Sequence, residues 1–308
     1  RANFAPPGQP PVFGRSSRPL LSLALLTSVR PGLRKRVRRF EEVLERHLIF
    51  REQALSNPNV HEVRVRGDVS SQKSGSMGIL FGLQHAPEGL TRERVHELSR
   101  AGIRSGVIAH EEENEYGGGF RSESPLTNRG AKLACWFGES GILLDLSHAG
   151  QRTAMDAVAL IKKERLPTKV MASHSGCHAT HHHPRNLIGV MIREINDLRG
   201  YIGIPAITYL IAEKGSLYLD YFTRHITETI KVCGGSGIIG IGSSCYHFDM
   251  SKDAAEDNFK EAVRHKNSDH CGEYFPHRPP ELIEQGSRMF EIFEQTLKKK
   301  YDQSVVDG

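Results

Sequence analysis

Residues 141–186 decide how this chain reads. They begin GILLDLSHAG (141–150), pass through a charged run with apolar residues at Met155, Val158, Ala159 and Leu160, and end KVMASHSGCHATHHHPRN (169–186). Two short apolar runs, 142–146 and 169–172, lead into the same dipeptide, Ser147-His148 and Ser173-His174. The residues between them have helical spacing. The stretch therefore predicts a strand, a helix and a second strand, with an imidazole at the C-terminal end of each strand. In parallel α/β folds that edge carries the chemistry. One strand-end His is an ordinary hydrogen-bonded residue. Two in succession with matching flanks predict two imidazoles facing one site.

The same alternation extends both ways along the chain. Strands are expected at 20–29, 60–65, 78–84, 104–110, 200–206 and 237–244, and helices at 34–53, 91–101, 127–139, 151–165, 186–198, 217–233 and 281–299. Roughly eight strands separated by helices predict an α/β fold of the (β/α)8, TIM-barrel-like type; an open doubly wound sheet is the alternative. No GxGxxG opens a helix after a strand and no GxxxxGK[ST] occurs, which argues against dinucleotide and P-loop chemistry. The expected strand ends present Gln84, His110, His148, His174 and Ser244. Neutral imidazole is a good ligand for zinc, which polarises carbonyls and lowers the pKa of bound water. Arg185 reads either as a bidentate anchor for a carboxylate or as a surface Arg at a helix start. Asp145 lies three residues before His148, where strand alternation puts it on the opposite face and gives it a structural reading. His178 and His181 to His183 read as a solvated loop.

The composition fits a folded enzyme-sized chain. Of 308 residues, 38% are hydrophobic and 25% charged, enough for a sizeable core. The net charge of +5 is concentrated in an acid-free stretch, 1–40, that contains Arg34, Lys35, Arg36, Arg38 and Arg39. The remainder is close to neutral, so no nucleic-acid partner is expected. This separates a divergent, basic, partly disordered arm, 1–59, from a domain at 60–308. Five cysteines without a CxxC argue against a disulfide framework and favour a reducing compartment such as the cytoplasm. The apolar run 20–26 is too short to span a bilayer, so no transmembrane segment is expected.

SPLTNRGAKLACWFGESGILLDLSHAG (124–150) and ASHSGCHATHHHPRNL (172–187), with weaker blocks GLQHAP (82–87) and GIGSS (240–244), resemble the membrane dipeptidase (renal dipeptidase) family of metallopeptidases. The resemblance implies a (β/α)8 barrel that hydrolyses small dipeptides through a metal-activated water. Position by position, it implies His148 and His174 as zinc ligands, Arg185 as the clamp on the substrate carboxylate and His110 as a contact to the transition state. Gln84 falls where the family has a metal-bridging Glu, and Ser244 where it has an Asp ligand. The family's HxD motif has no counterpart in residues 1–60. These departures lead us to expect one zinc ion rather than two, on His148, His174 and Gln84; Asp249 is out of register to replace the missing Asp. They also open an alternative, a catalytically silent barrel acting as a binding or scaffold module. Family members are often dimers, so a homodimer is the expected assembly.

Overall fold

The computed structural model describes residues 23–27, 39–70, 76–212, 218–242 and 289–306. Ser244, Cys245, Asp249 and Cys271 lie outside them. By contacts the chain divides into two compact units, the first holding the described residues up to 173 together with 197–200, the second holding 174–196 and those from 201 onward.

The first unit alternates strand and helix: β1 (Leu23–Thr27), α1 (Phe40–Leu55), β2 (Val60–Glu62), α2 (Arg66–Ser70), β3 (Met77–Leu83), α3 (Arg92–Arg100), β4 (Ile103–Val107), α4 (Asn128–Glu139), β5 (Leu143–Asp145), α5 (Gln151–Glu164) and β6 (Val170–Met171). The strands form one six-stranded sheet in the order β1-β3-β4-β5-β6, with β2 also paired to β3. Every pair is parallel. Parallel pairing requires a crossover between strands, which the helices supply. It also puts all the strand C-termini at one edge.

Local chemistry sets the boundaries. Thr91 caps α3 by accepting from Arg94 N at 3.4 Å, and Thr127 caps α4 by accepting from Gly130 N at 3.0 Å. After α3 the chain turns into β4 at Gly102, whose φ of +108° disfavours any side chain. The core of this unit contains Ile79, Phe81, Ile103, Leu133, Phe137 and Leu144, each without measurable exposure. Burying each such side chain stabilises the fold by roughly 1.5–3 kcal/mol.

In the second unit α6 (Gly189–Asp197) leads to β7 (Ile202–Pro205), α7 (Thr208–Ile211), α8 (Tyr218–Cys233), β8 (Ile239–Gly242), α9 (Met289–Lys298) and α10 (Gln303–Val306). β7 and β8 are parallel, with Ile202 opposite Ile239 and Ile204 opposite Ile241. The long helix α8 is amphipathic and buries Phe222, which stacks on Phe293 of α9 at 4.3 Å. Three short helices, α2, α7 and α10, were not foreseen; at four or five residues each they carry too little periodicity to read.

Candidate functional site

The strands end earlier than the sequence pattern suggested. β4, β5 and β6 stop at Val107, Asp145 and Met171, so His110, His148 and His174 each stand three residues beyond a strand end. Their rings are held by loops, not by the ladder. Gln84 directly follows the last residue of β3.

Three of the expected site residues meet in the first unit. The Gln84 side-chain amide lies 3.0 Å from His148 Nε2. An amide N–H can only donate, so in this orientation His148 Nε2 accepts and its ring proton sits on Nδ1. On its face, the His148 ring stacks against His110 at 3.7 Å between centroids, the planes 19° apart. Gln84 and His148 are buried, and His110 is half-buried with its Nδ1 3.8 Å from Glu111 Oε1.

The loop that carries His110 is the Glu- and Gly-rich stretch 111–120, and its glycines have a packing cause. A Cβ on Gly119 would come within 2.5 Å of the Glu111 carbonyl carbon, and one on Gly117 within 2.6 Å of Thr153. Gly118 N donates to Thr153 Oγ1 at 2.7 Å, and Gly150 N donates to Gly118 O at 2.8 Å. The loop thus lies flat against the turn that holds His148. Asn114 folds it internally, its Nδ2 donating to Ile108 O at 2.8 Å while Oδ1 accepts from Tyr116 N at 2.8 Å. Tyr116 pins it outward, its hydroxyl donating to Pro87 O and accepting from Leu90 N, both at 2.9 Å. Burial, reinforced by the Glu115 carboxylate, pushes this phenol well above its usual range and keeps it a donor. Asn114, Tyr116 and Thr153 were not singled out from the sequence; an Asn followed by aromatic and triple Gly was the available signal.

Asp145 proves to be tied into this rim. Its Oδ1 accepts from Ser147 N at 3.0 Å, Ser147 Oγ at 2.7 Å and Ser173 N at 3.0 Å, and its Oδ2 accepts from Ser173 Oγ at 2.5 Å. The alternation argument that set Asp145 apart from His148 does not apply, because His148 lies off the strand.

In the second unit the loop 174–187 brings His174 and Arg185 together. Arg185 Nη2 donates to the His174 carbonyl at 3.0 Å, and both residues are buried. Asn186 uses its whole amide, Oδ1 accepting from Gly176 N at 3.0 Å and Nδ2 donating to Leu210 O at 2.7 Å and His181 O at 2.9 Å. Beneath it, His225 of α8 accepts from Cys177 N at Nδ1 and donates from Nε2 to Ile211 O, both at 2.8 Å. Burial lowers the His225 pKa to about 4, so the ring is neutral and satisfied on both sides. His225 was missed because a His on a helix face gives no sign of the loop it braces. The His tract is less solvated than expected: His183 is half-buried, and burial with Arg185 and nearby His residues lowers its pKa to about 3.

The donor chemistry bears on a metal. Among the described residues no three His, Cys, Asp or Glu side chains gather as a metal-holding group. At Gln84 and His148 the donors are an imidazole nitrogen and an amide, both neutral. A half-turn of the Gln84 amide exchanges its nitrogen for its oxygen beside His148 Nε2, giving a cation two donor atoms. An imidazole nitrogen and an amide oxygen are both donors that zinc accepts, whereas two ions in close contact call for a bridging carboxylate, which Gln84 is not.

Comparison with known proteins bears out the family resemblance read from the sequence. A stretch of 143 residues is 27% identical to a dipeptidase, tcpJ, of Claviceps purpurea (strain 20.1); it covers 45% of this chain and about a third, 32%, of that relative's length. In fold, the chain is similar to an amidohydrolase from Pseudomonas aeruginosa, with a TM-score of 0.74 at 20% identity over 93% of this chain and 84% of that one. It is also similar to a metallopeptidase from Rhodobacter sphaeroides, solved with a phosphinate mimic of the dipeptide L-Ala-D-Ala, with a TM-score of 0.69 at 18% identity over 92% and 82% of the two chains. These likenesses show the fold, and it is the α/β, TIM-barrel-like type that the strand and helix pattern led us to expect. Residues 20–261 match the model of the membrane dipeptidases, peptidase family M19, and with most of its length matched the chain belongs to that family.

Proposed function

We propose that this chain is a metal-dependent dipeptidase that hydrolyses the peptide bond of small dipeptides, with one zinc ion held by His148, His174 and Gln84. The observation that carries the reading is the convergence of Gln84, His110 and His148 just past the ends of β3, β4 and β5, with contacts of 3.0 and 3.7 Å. Zinc, when bound, acts as a Lewis acid on a carbonyl and lowers the pKa of water. The protein's own groups supply the rest. Arg185 holds the substrate's terminal carboxylate through its guanidinium. Its bond to the His174 carbonyl fixes the guanidinium before substrate arrives, reducing the ordering that binding requires. His110, stacked on His148, presents an N–H to the oxygen that gains charge in the transition state. The buried setting of Gln84, His148, His174 and Arg185 keeps water from weakening these interactions.

The test is hydrolysis of L-Ala-D-Ala, the dipeptide whose mimic the Rhodobacter metallopeptidase binds. Purified chain loaded with zinc should release free alanine, and His148→Ala should abolish the release. A zinc-loaded wild type without turnover on a panel of dipeptides would refute the proposal. A second reading, a binding module without turnover, is favoured by Gln84: an amide cannot supply a bridging charge. Binding of the phosphinate mimic without hydrolysis of any dipeptide would support it.

A further inference from the structure

We infer that Asp145 is a positioning residue for both imidazoles, a single carboxylate that aligns the Ser147-His148 and Ser173-His174 turns. The inference rests on the reading of His148 and His174 as ligands of one ion. It explains why the same dipeptide occurs twice. β5 and β6 pair over only two residues each, Leu144 opposite Val170 and Asp145 opposite Met171. Past that short ladder the N–H groups of Ser147 and Ser173 need other acceptors, and Asp145 Oδ1 takes both at 3.0 Å. The two serine hydroxyls, 3.2 Å apart, add a third bond to Oδ1 and one to Oδ2. Asp145 is 4% exposed, so these bonds form with little competition from water. Hydrogen bonds to a carboxylate are short and strong. Each clamped serine immediately precedes a histidine, so the carboxylate fixes the backbone from which each imidazole projects. Groups that orient metal ligands without touching the ion commonly affect its affinity.

Asp145→Asn tests this at constant shape. Asparagine keeps the oxygen that takes three bonds but loses the charge and puts an NH2 where Ser173 Oγ donates. Ser147→Ala and Ser173→Ala each remove one arm and keep the backbone bonds, so they serve even where the change at 145 prevents folding. Co²⁺ titration of the whole chain, followed by visible absorption, reads affinity; 15N spectra of the histidine rings read position. Asp145→Asn should weaken Co²⁺ binding about 10- to 100-fold and shift the ring signals of both His148 and His174. Ser147→Ala should shift mainly His148, and Ser173→Ala mainly His174. Wild-type Co²⁺ affinity with unmoved ring signals in Asp145→Asn, or in both serine variants where it does not fold, would overturn the inference. A wild type that takes up no Co²⁺ would instead defeat the metal reading. Asp145 would then be judged on the metal-free ring signals alone, with shifts in both rings supporting it and shifts in neither refuting it.

Discussion

Acid should weaken this protein through His225. The ring is fully buried, and its two nitrogens are committed in opposite senses, Nδ1 accepting from Cys177 N and Nε2 donating to Ile211 O. A proton on Nδ1 would turn an acceptor toward a donor. Burial thus lowers the pKa from 6.5 to about 4. The unfolded chain binds this proton first, so stability is complete above about pH 6.5 and falls as the pH drops through about 4. At about 1.4 kcal/mol per pH unit, the interval between those values corresponds to roughly 3 kcal/mol. That is a large part of the 5–15 kcal/mol that holds a typical domain folded. The assay is urea unfolding by far-UV circular dichroism at several pH values from 7.5 to 4, for the wild type and for His225→Gln. Glutamine offers a donor and an acceptor but does not titrate. The variant should be less stable at pH 7.5 and should lose roughly 3 kcal/mol less than the wild type over the acid range. His47, His178 and His183, also lowered by burial, titrate equally in both chains and cancel in the difference. Identical pH dependence in the two proteins would refute the reasoning.

Three further predictions follow from the packing. Gly119→Ala would press a Cβ to 2.5 Å from the Glu111 backbone, so the loop must shift; dipeptide turnover should fall at least tenfold while the melting temperature drops only a few degrees, about 1–3 kcal/mol. Phe137→Ala removes a fully buried ring that fills the space above Gly106, where a Cβ would stand 2.7 Å from it, and should cost about 3–5 kcal/mol in urea unfolding. Arg185→Lys loses the planar fork and the bond to the His174 carbonyl, and should raise KM for a dipeptide roughly tenfold or more with a smaller change in kcat.

The chain's alternation was legible because strands of a parallel sheet read as unbroken apolar runs, as the largely buried GILFGL at 78–83, which became β3, does; GIIGIG at 237–242 holds β8, which is mostly half-buried. Helix starts were legible wherever a side chain caps them, as Thr91 and Thr127 do. Strand ends were less so. The expected strands ran through to each histidine, whereas the pairing between β5 and β6 stops after two residues and side chains take over. That change of partner from backbone to carboxylate has no periodicity to detect. The doubled Ser-His was visible and its cause, Asp145, was not, because the cause is a contact between residues 28 apart. The glycines 117–119 showed as a loop, but what lies against them, Glu111 and Thr153, is fixed only by the folded backbone. His225 supports its loop across 48 residues and looks like any other histidine on a helix.

The place of the three histidines, each a short step past the end of its strand, separates what keeps this protein folded from what it does. The backbone hydrogen bonds of the sheet lie before those imidazoles in the chain, so the ladders do not depend on the side chains that carry the chemistry. Selection can therefore retune, exchange or silence the activity by altering a few loop residues, while the folded body passes unchanged from one use to the next.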